Sequence, residues 1–114
     1  MIPEPKGIYV VCGSTDLRMG IDGYARIVQD HYERNPMDSR MYCFCNRQHN
    51  KLKILYWDLN GFWLMYKRLE KGTFKWPKED DKCMKVEYKQ MEWLLQGLHI
   101  EQKRVFKEVK REFV

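Results

Sequence analysis

The dipeptide Asn60-Gly61 constrains this chain more than any other feature. Lys51-Leu-Lys-Ile-Leu-Tyr-Trp57 precedes it and Phe62-Trp-Leu-Met-Tyr66 follows, both rich in strand formers. Asn-Gly between two such runs predicts a tight β-hairpin, because both residues tolerate positive φ. With Asn60 and Gly61 as the turn, Trp57 faces Leu64, Leu55 faces Tyr66 and Lys53 faces Arg68 on one side. Tyr56, Ile54 and Leu52 then face Met65, Lys67 and Leu69 on the other. A four-residue loop, Asp58 to Gly61, shifts the register by two and keeps each strand's alternation. In both registers Leu52, Ile54 and Tyr56 share one face, and Lys51, Lys53 and Trp57 share the opposite one.

The stretch from Arg47 to Pro77 also carries the whole net charge. It holds Arg47, Lys51, Lys53, Lys67, Arg68, Lys71 and Lys75 against Asp58 and Glu70, which gives +5. The rest of the chain has fourteen charges of each sign. Charge confined in this way marks a binding face. Trp57, Tyr66, Phe74 and Trp76 lie among these cations, a combination suited to phosphate contacts and base stacking. The competing reading makes the aromatics core and the lysines a solvated face. The candidate nucleic-acid-binding residues are Arg47, Lys51, Lys53, Trp57, Lys67, Arg68, Lys71 and Lys75.

Elsewhere the pattern is mixed. Gly7 to Val11 reads as a strand and Gly13-Ser-Thr-Asp16 as a turn whose side chains bond local amides. Ile21 to Arg34 reads as a helix, with Ile21, Tyr24, Ala25, Val28, His31 and Tyr32 on one side and Asp22 as a cap. Asn35-Pro36 ends it. Met41 to Cys45 reads as a strand, and Thr73 to Trp76 as a short third run stopped by Pro77. Lys78 to Lys82 is a charged loop, and Glu87 to Gln96 a second helix stopped by Gly97. Glu101 to Val114 reads as a third helix with Val105, Phe106, Val109 and Phe113 inward, or as a mobile tail. The predicted class is α+β: an antiparallel β-meander of about four or five strands with two or three helices packed on one face. Residues 1–99 form the single domain and 100–114 a C-terminal helical extension.

A chain of 114 residues forms one domain. No apolar run approaches the roughly 20 residues of a membrane span. The start, Met-Ile-Pro-Glu-Pro, lacks the basic and apolar regions of a signal peptide, so a cytoplasmic location without membrane association is expected. In that setting Cys12, Cys43, Cys45 and Cys83 are expected to be thiols. Cys43 and Cys45 have strand spacing and read as small apolar residues; a zinc site with His49 is the lesser reading. No cofactor is expected.

Catalytic patterns are missing. There is no G-x-S-x-G, no phosphate-binding glycine motif and no cysteine–histidine signature. Asp16, Asp22 and Asp58 could in principle bind magnesium, but each sits where turns and helix starts use Asp. No enzyme activity is expected, and no catalytic or metal-binding residue is assigned.

Several blocks occur in order: Met-Ile-Pro at the start, Gly13-Ser-Thr-Asp-Leu-Arg-Met-Gly-Ile-Asp-Gly23, Lys53-Ile-Leu-Tyr-Trp-Asp-Leu-Asn-Gly61, Tyr66-Lys-Arg-Leu-Glu-Lys-Gly72, Phe74-Lys-Trp-Pro77 and Leu94-Leu-Gln-Gly97. Together they resemble the small TnpB (Orf2-like) accessory protein of insertion sequence family 66, over roughly residues 1–99. The RNA-guided nuclease also called TnpB is a different protein. The resemblance implies a bacterial mobile element and a non-catalytic role assisting DNA transposition and recombination. Its implied partners are the element's acidic-triad transposase and a second small accessory protein. The family's usual Thr-Pro start of the last helix is Glu87-Tyr88 here. Two functions are compatible with these features. One is DNA binding, at element ends, through the basic aromatic hairpin. The other is a protein–protein adaptor that binds the transposase without contacting DNA. Assembly into a homo-oligomer is open.

Overall fold

The computed structural model describes residues 4–100. Five strands form one sheet: β1 (Ile8–Val11), β2 (Met41–Cys45), β3 (Lys51–Asp58), β4 (Gly61–Arg68) and β5 (Cys83–Val86). Their spatial order is β4-β3-β2-β1-β5. β2, β3 and β4 are a meander, and β5 is antiparallel to β1. β1 and β2 are parallel, so the sheet is mixed. A parallel pair needs a crossover, and the crossover carries the first helix, α1 (Ile21–Arg26), which runs on into a π turn, Ile27–His31. α1 starts at Gly20 without a side-chain cap; Asp22 lies in its first turn. His31 is exposed, its Nε2 2.8 Å from Asp81 Oδ1, and is not part of the core.

The α+β class holds, with two changes of arrangement: the sheet is mixed rather than an antiparallel meander throughout, and the two helices lie on opposite faces. The strands are the reason. In β2, Cys43 and Cys45 alternate with Tyr42 and Phe44, and all four are buried. In β3, Leu52, Ile54 and Tyr56 are buried on one side and Leu55 on the other. A strand apolar on both sides needs cover on both sides. One core joins Val10, Cys43, Cys45, Leu52 and Ile54 to Met91 and Leu94 of α2 (Tyr88–Leu95). The other joins Tyr42, Phe44 and Leu55 to Tyr24 and Val28. Glu87 is the N-cap of α2, and its N–H donates to Gln90 Oε1 at 2.8 Å, so the helix is capped without the Thr-Pro pair.

The hairpin takes the register of the longer loop. Trp57 pairs with Phe62, Leu55 with Leu64 and Lys53 with Tyr66. The left-handed residue of the turn is Leu59, at φ 56°, and neither Asn60 nor Gly61 has positive φ. Thr73 to Trp76 is not a strand: it is an irregular segment that buries Phe74 and Trp76 in the α2-side core. The Trp76 indole N–H donates to the Val11 carbonyl at 2.9 Å. The expected helix from Glu101 onward lies outside the described residues.

Candidate nucleic-acid interface

On the α1 side of the sheet, side chains along β3 and β4 divide into two zones. Leu55, Leu64 and Phe62 pack into the core beneath α1. Beyond them come Lys51 and Lys53 of β3 and Tyr66 of β4, with Lys53 reaching back to the start of α1. The loop from Ser14 to Arg18 lies opposite. Between loop and hairpin is an open groove of about 890 Å³, which also takes in Asn46, Arg47 and Gln48.

Backbone bonds place the loop. Gly13, buried at φ 76°, donates its N–H to the Pro77 carbonyl at 2.8 Å. A Cβ at Gly13 would sit 2.5 Å from Asp80 Oδ1. Thr15 N–H donates to the Cys45 carbonyl at 2.8 Å and ties the loop to the end of β2. Lys53 closes the other side: its ammonium donates to the Met19 carbonyl at 3.1 Å and lies 5.6 Å from the Tyr24 ring centroid. Lys53 therefore spends part of its bonding capacity inside the fold.

Within the loop, Asp16 Oδ1 accepts the Arg18 backbone N–H at 2.9 Å, and the carboxylate takes the Arg18 guanidinium in a two-point pair. Those bonds hold the Asp16 carboxyl down to about 2, so it stays ionised in mild acid. The pair leaves Arg18 91% exposed at the groove edge. The turn from Asn46 to Lys51 is fixed by Asn46, whose Oδ1 accepts the N–H groups of Asn50 and Lys51, both at 3.0 Å. Arg47, at the tip of that turn, is exposed at the groove mouth.

Of the eight candidate residues, the groove gathers Arg47, Lys51 and Lys53. Arg68 pairs across from Lys51 on the same face, but its Nε donates to Glu70 at 2.8 Å. Trp57 lies at the far end of the hairpin, edge-on to Phe62 with ring centroids 5.0 Å apart. Strand alternation sends Lys67 to the opposite face. Lys71 sits in the exposed turn after β4, and Lys75 points outward between buried Phe74 and Trp76. Phe74 and Trp76 are core and offer no stacking surface, whereas Tyr66 is 55% exposed. Arg18, Ser14, Thr15 and Tyr66 complete the groove and were not among the eight. The block Gly13-Ser-Thr-Asp-Leu-Arg18 was visible as a unit, but one strand and one helix separate it from the hairpin in sequence, so nothing local joined the two.

Cys43 and Cys45 point the same way, into the α2-side core, as their spacing predicts. Burial raises the Cys45 thiol to about 12 and raises Cys43 as well. Among the described residues, no three of His, Cys, Asp and Glu form a group able to hold a metal ion, and no helix is long and apolar enough to cross a membrane.

The family model described as "IS66 Orf2 like protein" matches residues 6–105, six residues past His99 and so beyond the extent read from the sequence blocks. Two proteins of Sinorhizobium fredii (strain NBRC 101917 / NGR234) are similar along most of their length. Uncharacterized protein y4hO is 31% identical over 100 residues, covering 86% of this chain and 87% of the relative. Uncharacterized protein y4jC is 26% identical over 100 residues, covering 86% of each. No solved structure matches the chain.

Proposed function

Since the chain belongs to the IS66 Orf2-like family, and with it to the accessory proteins of an insertion sequence, we propose that it assists transposition by binding DNA in the groove between the Ser14–Arg18 loop and the basic hairpin. One observation carries this reading. Arg47, Lys51 and Lys53 converge in one concavity beside the Asp16–Arg18 ion pair of the distant loop, and the acid there, Asp16, is neutralised by that pair, so the three hairpin-side cations are left uncompensated. Cations gathered in a concavity raise the local potential beyond what scattered surface lysines supply. Bound phosphates would release counterions, so affinity should fall with salt. The role is non-catalytic: the groove holds the DNA, and the element's transposase supplies the chemistry.

The test is a fluorescence-anisotropy titration against element-end DNA in a salt series. The variant Arg47→Ala/Lys51→Ala should fold normally, bind at least tenfold more weakly and flatten the log–log salt slope by about 1.5–2. Unchanged affinity in that variant sinks the reading. Leu59, 85% exposed, and Trp63, 47% exposed, favour a second reading in which the hairpin tip docks on the transposase. Co-purification lost with Leu59→Asn/Trp63→Ser but kept with Arg47→Ala/Lys51→Ala would support that adaptor.

A further inference from the structure

The groove's shape and lining speak to the form of the nucleic acid. Proteins that read duplex DNA present a helix or a free two-stranded ribbon to the major groove. Among the described residues neither is available. The exposed residues of α1 include Asp22 beside Arg26, and on α2 Lys89 pairs with Glu92 at 3.3 Å, so neither helix carries a basic row. β3 cannot enter a DNA groove, because Leu52, Ile54 and Tyr56 are buried on one face and Leu55 on the other. The groove cations instead line a concavity, where the rigid, convex surface of a duplex meets only the rim.

An unpaired strand has different needs: cations along its backbone and a flat surface for a base. Tyr66 supplies the surface. It is the half-exposed aromatic of the groove, paired across the strands with Lys53, so its ring stands beside the cationic floor. Arg47 and Lys51 lie along the β2–β3 side, with Arg18 on the facing loop. Resting on the DNA-binding reading above, we infer that the groove takes single-stranded DNA, with one base stacked on Tyr66 and the flanking phosphates held by Arg47 and Lys51. Stacking is indifferent to base identity, since every base has a π-face, so the strand is bound with little sequence preference.

The experiment uses the full chain with fluorescein-labelled oligo-dT of twelve residues and a twelve-base-pair duplex, at one moderate salt concentration. Oligo-dT should bind at least tenfold more tightly than the duplex. Tyr66→Leu should weaken oligo-dT binding roughly five- to 150-fold, the range of one lost stack, and leave the weak duplex binding unchanged. Tyr66→Phe, which keeps the ring, should retain wild-type affinity. Should Tyr66→Leu fail to fold, Tyr66→Thr, a strand former without a ring, takes its place. Equal or tighter duplex binding, or a ringless variant that binds oligo-dT like wild type, overturns the single-strand assignment. In either case Arg47→Ala/Lys51→Ala still reports on the DNA-binding reading, because it must weaken whichever form binds. If neither form binds the wild-type protein, both readings fall together.

Discussion

Lys53 shows how a residue assigned to binding on charge alone acquires a second task. Its aliphatic stem crosses the groove floor, and its ammonium bonds to the Met19 carbonyl above the Tyr24 ring. Lys53→Ala should therefore cost about 1–2 kcal/mol, from a lost charged hydrogen bond and a weak cation–π contact. A melting temperature lowered by several degrees would show it, while the exposed Arg47→Ala should leave the melt unmoved. The buried thiols give a separate test. In the unfolded chain a cysteine titrates near 9.0; in the fold, burial raises Cys45 to about 12 and Cys43 in the same direction. The folded state thus keeps protons that the unfolded state gives up. Their contribution is complete below about pH 9 and is lost as pH rises toward 12, at about 1.4 kcal/mol per pH unit for each thiol. Urea midpoints measured from pH 8 to 11 should fall steeply, and Cys45→Ala should lessen the slope.

The elements differ in how openly the chain announces them. The β3–β4 hairpin was legible because two runs of strand formers flank Asn60-Gly61, yet the turn centres on Leu59 and Asn60. An exposed leucine in the left-handed region costs about 1 kcal/mol or more, and only pairing along the whole hairpin outweighs such a local preference. Thr73 to Trp76 misled for a different reason. Alternate burial of Phe74 and Trp76 has the strand period, but the segment lies against the core without a ladder partner. β5 carries no local strand signal, being four residues between a charged loop and a helix cap; its pairing with β1 comes from tertiary structure alone. The groove was the least legible, since it exists only where the loop after β1 meets the start of β3. Gly13 is the hinge of that meeting. At φ 76° and against Asp80, Gly13→Ala should destabilise the protein by about 1–3 kcal/mol and loosen DNA binding with it. Gly20→Ala, with open space around it and negative φ, should cost about 1 kcal/mol or less, since Ala is the poorer N-cap but meets no clash, and should leave binding intact. Equal losses in the two variants would mean that the loop does not depend on the Gly13 conformation.

Across the whole molecule, a net charge of +5 offers two explanations for any DNA binding. Either the protein is attracted as a positively charged body, or the Ser14–Arg18 loop and the hairpin hold DNA at one place. The fold separates these explanations because it divides the basic stretch between faces: Arg47 and Lys51 line the groove, while Lys67 and Lys75 point away from it. Arg47→Ala/Lys51→Ala and Lys67→Ala/Lys75→Ala both leave a net charge of about +3, so long-range attraction weakens equally in each. Contact-level effects do not. At 0.15 M salt the Debye length is about 8 Å, so cations on the far face add little to the binding of a strand in the groove. The groove pair should lose at least tenfold in affinity, mainly through faster dissociation. The outer pair should lose less than threefold, mainly through slower association, and that loss should vanish at higher salt. Stopped-flow association and dissociation rates on the two variants, measured at two salt concentrations, decide the matter. If both lose affinity equally and through association alone, the charge acts as a diffuse field and the groove is not the site.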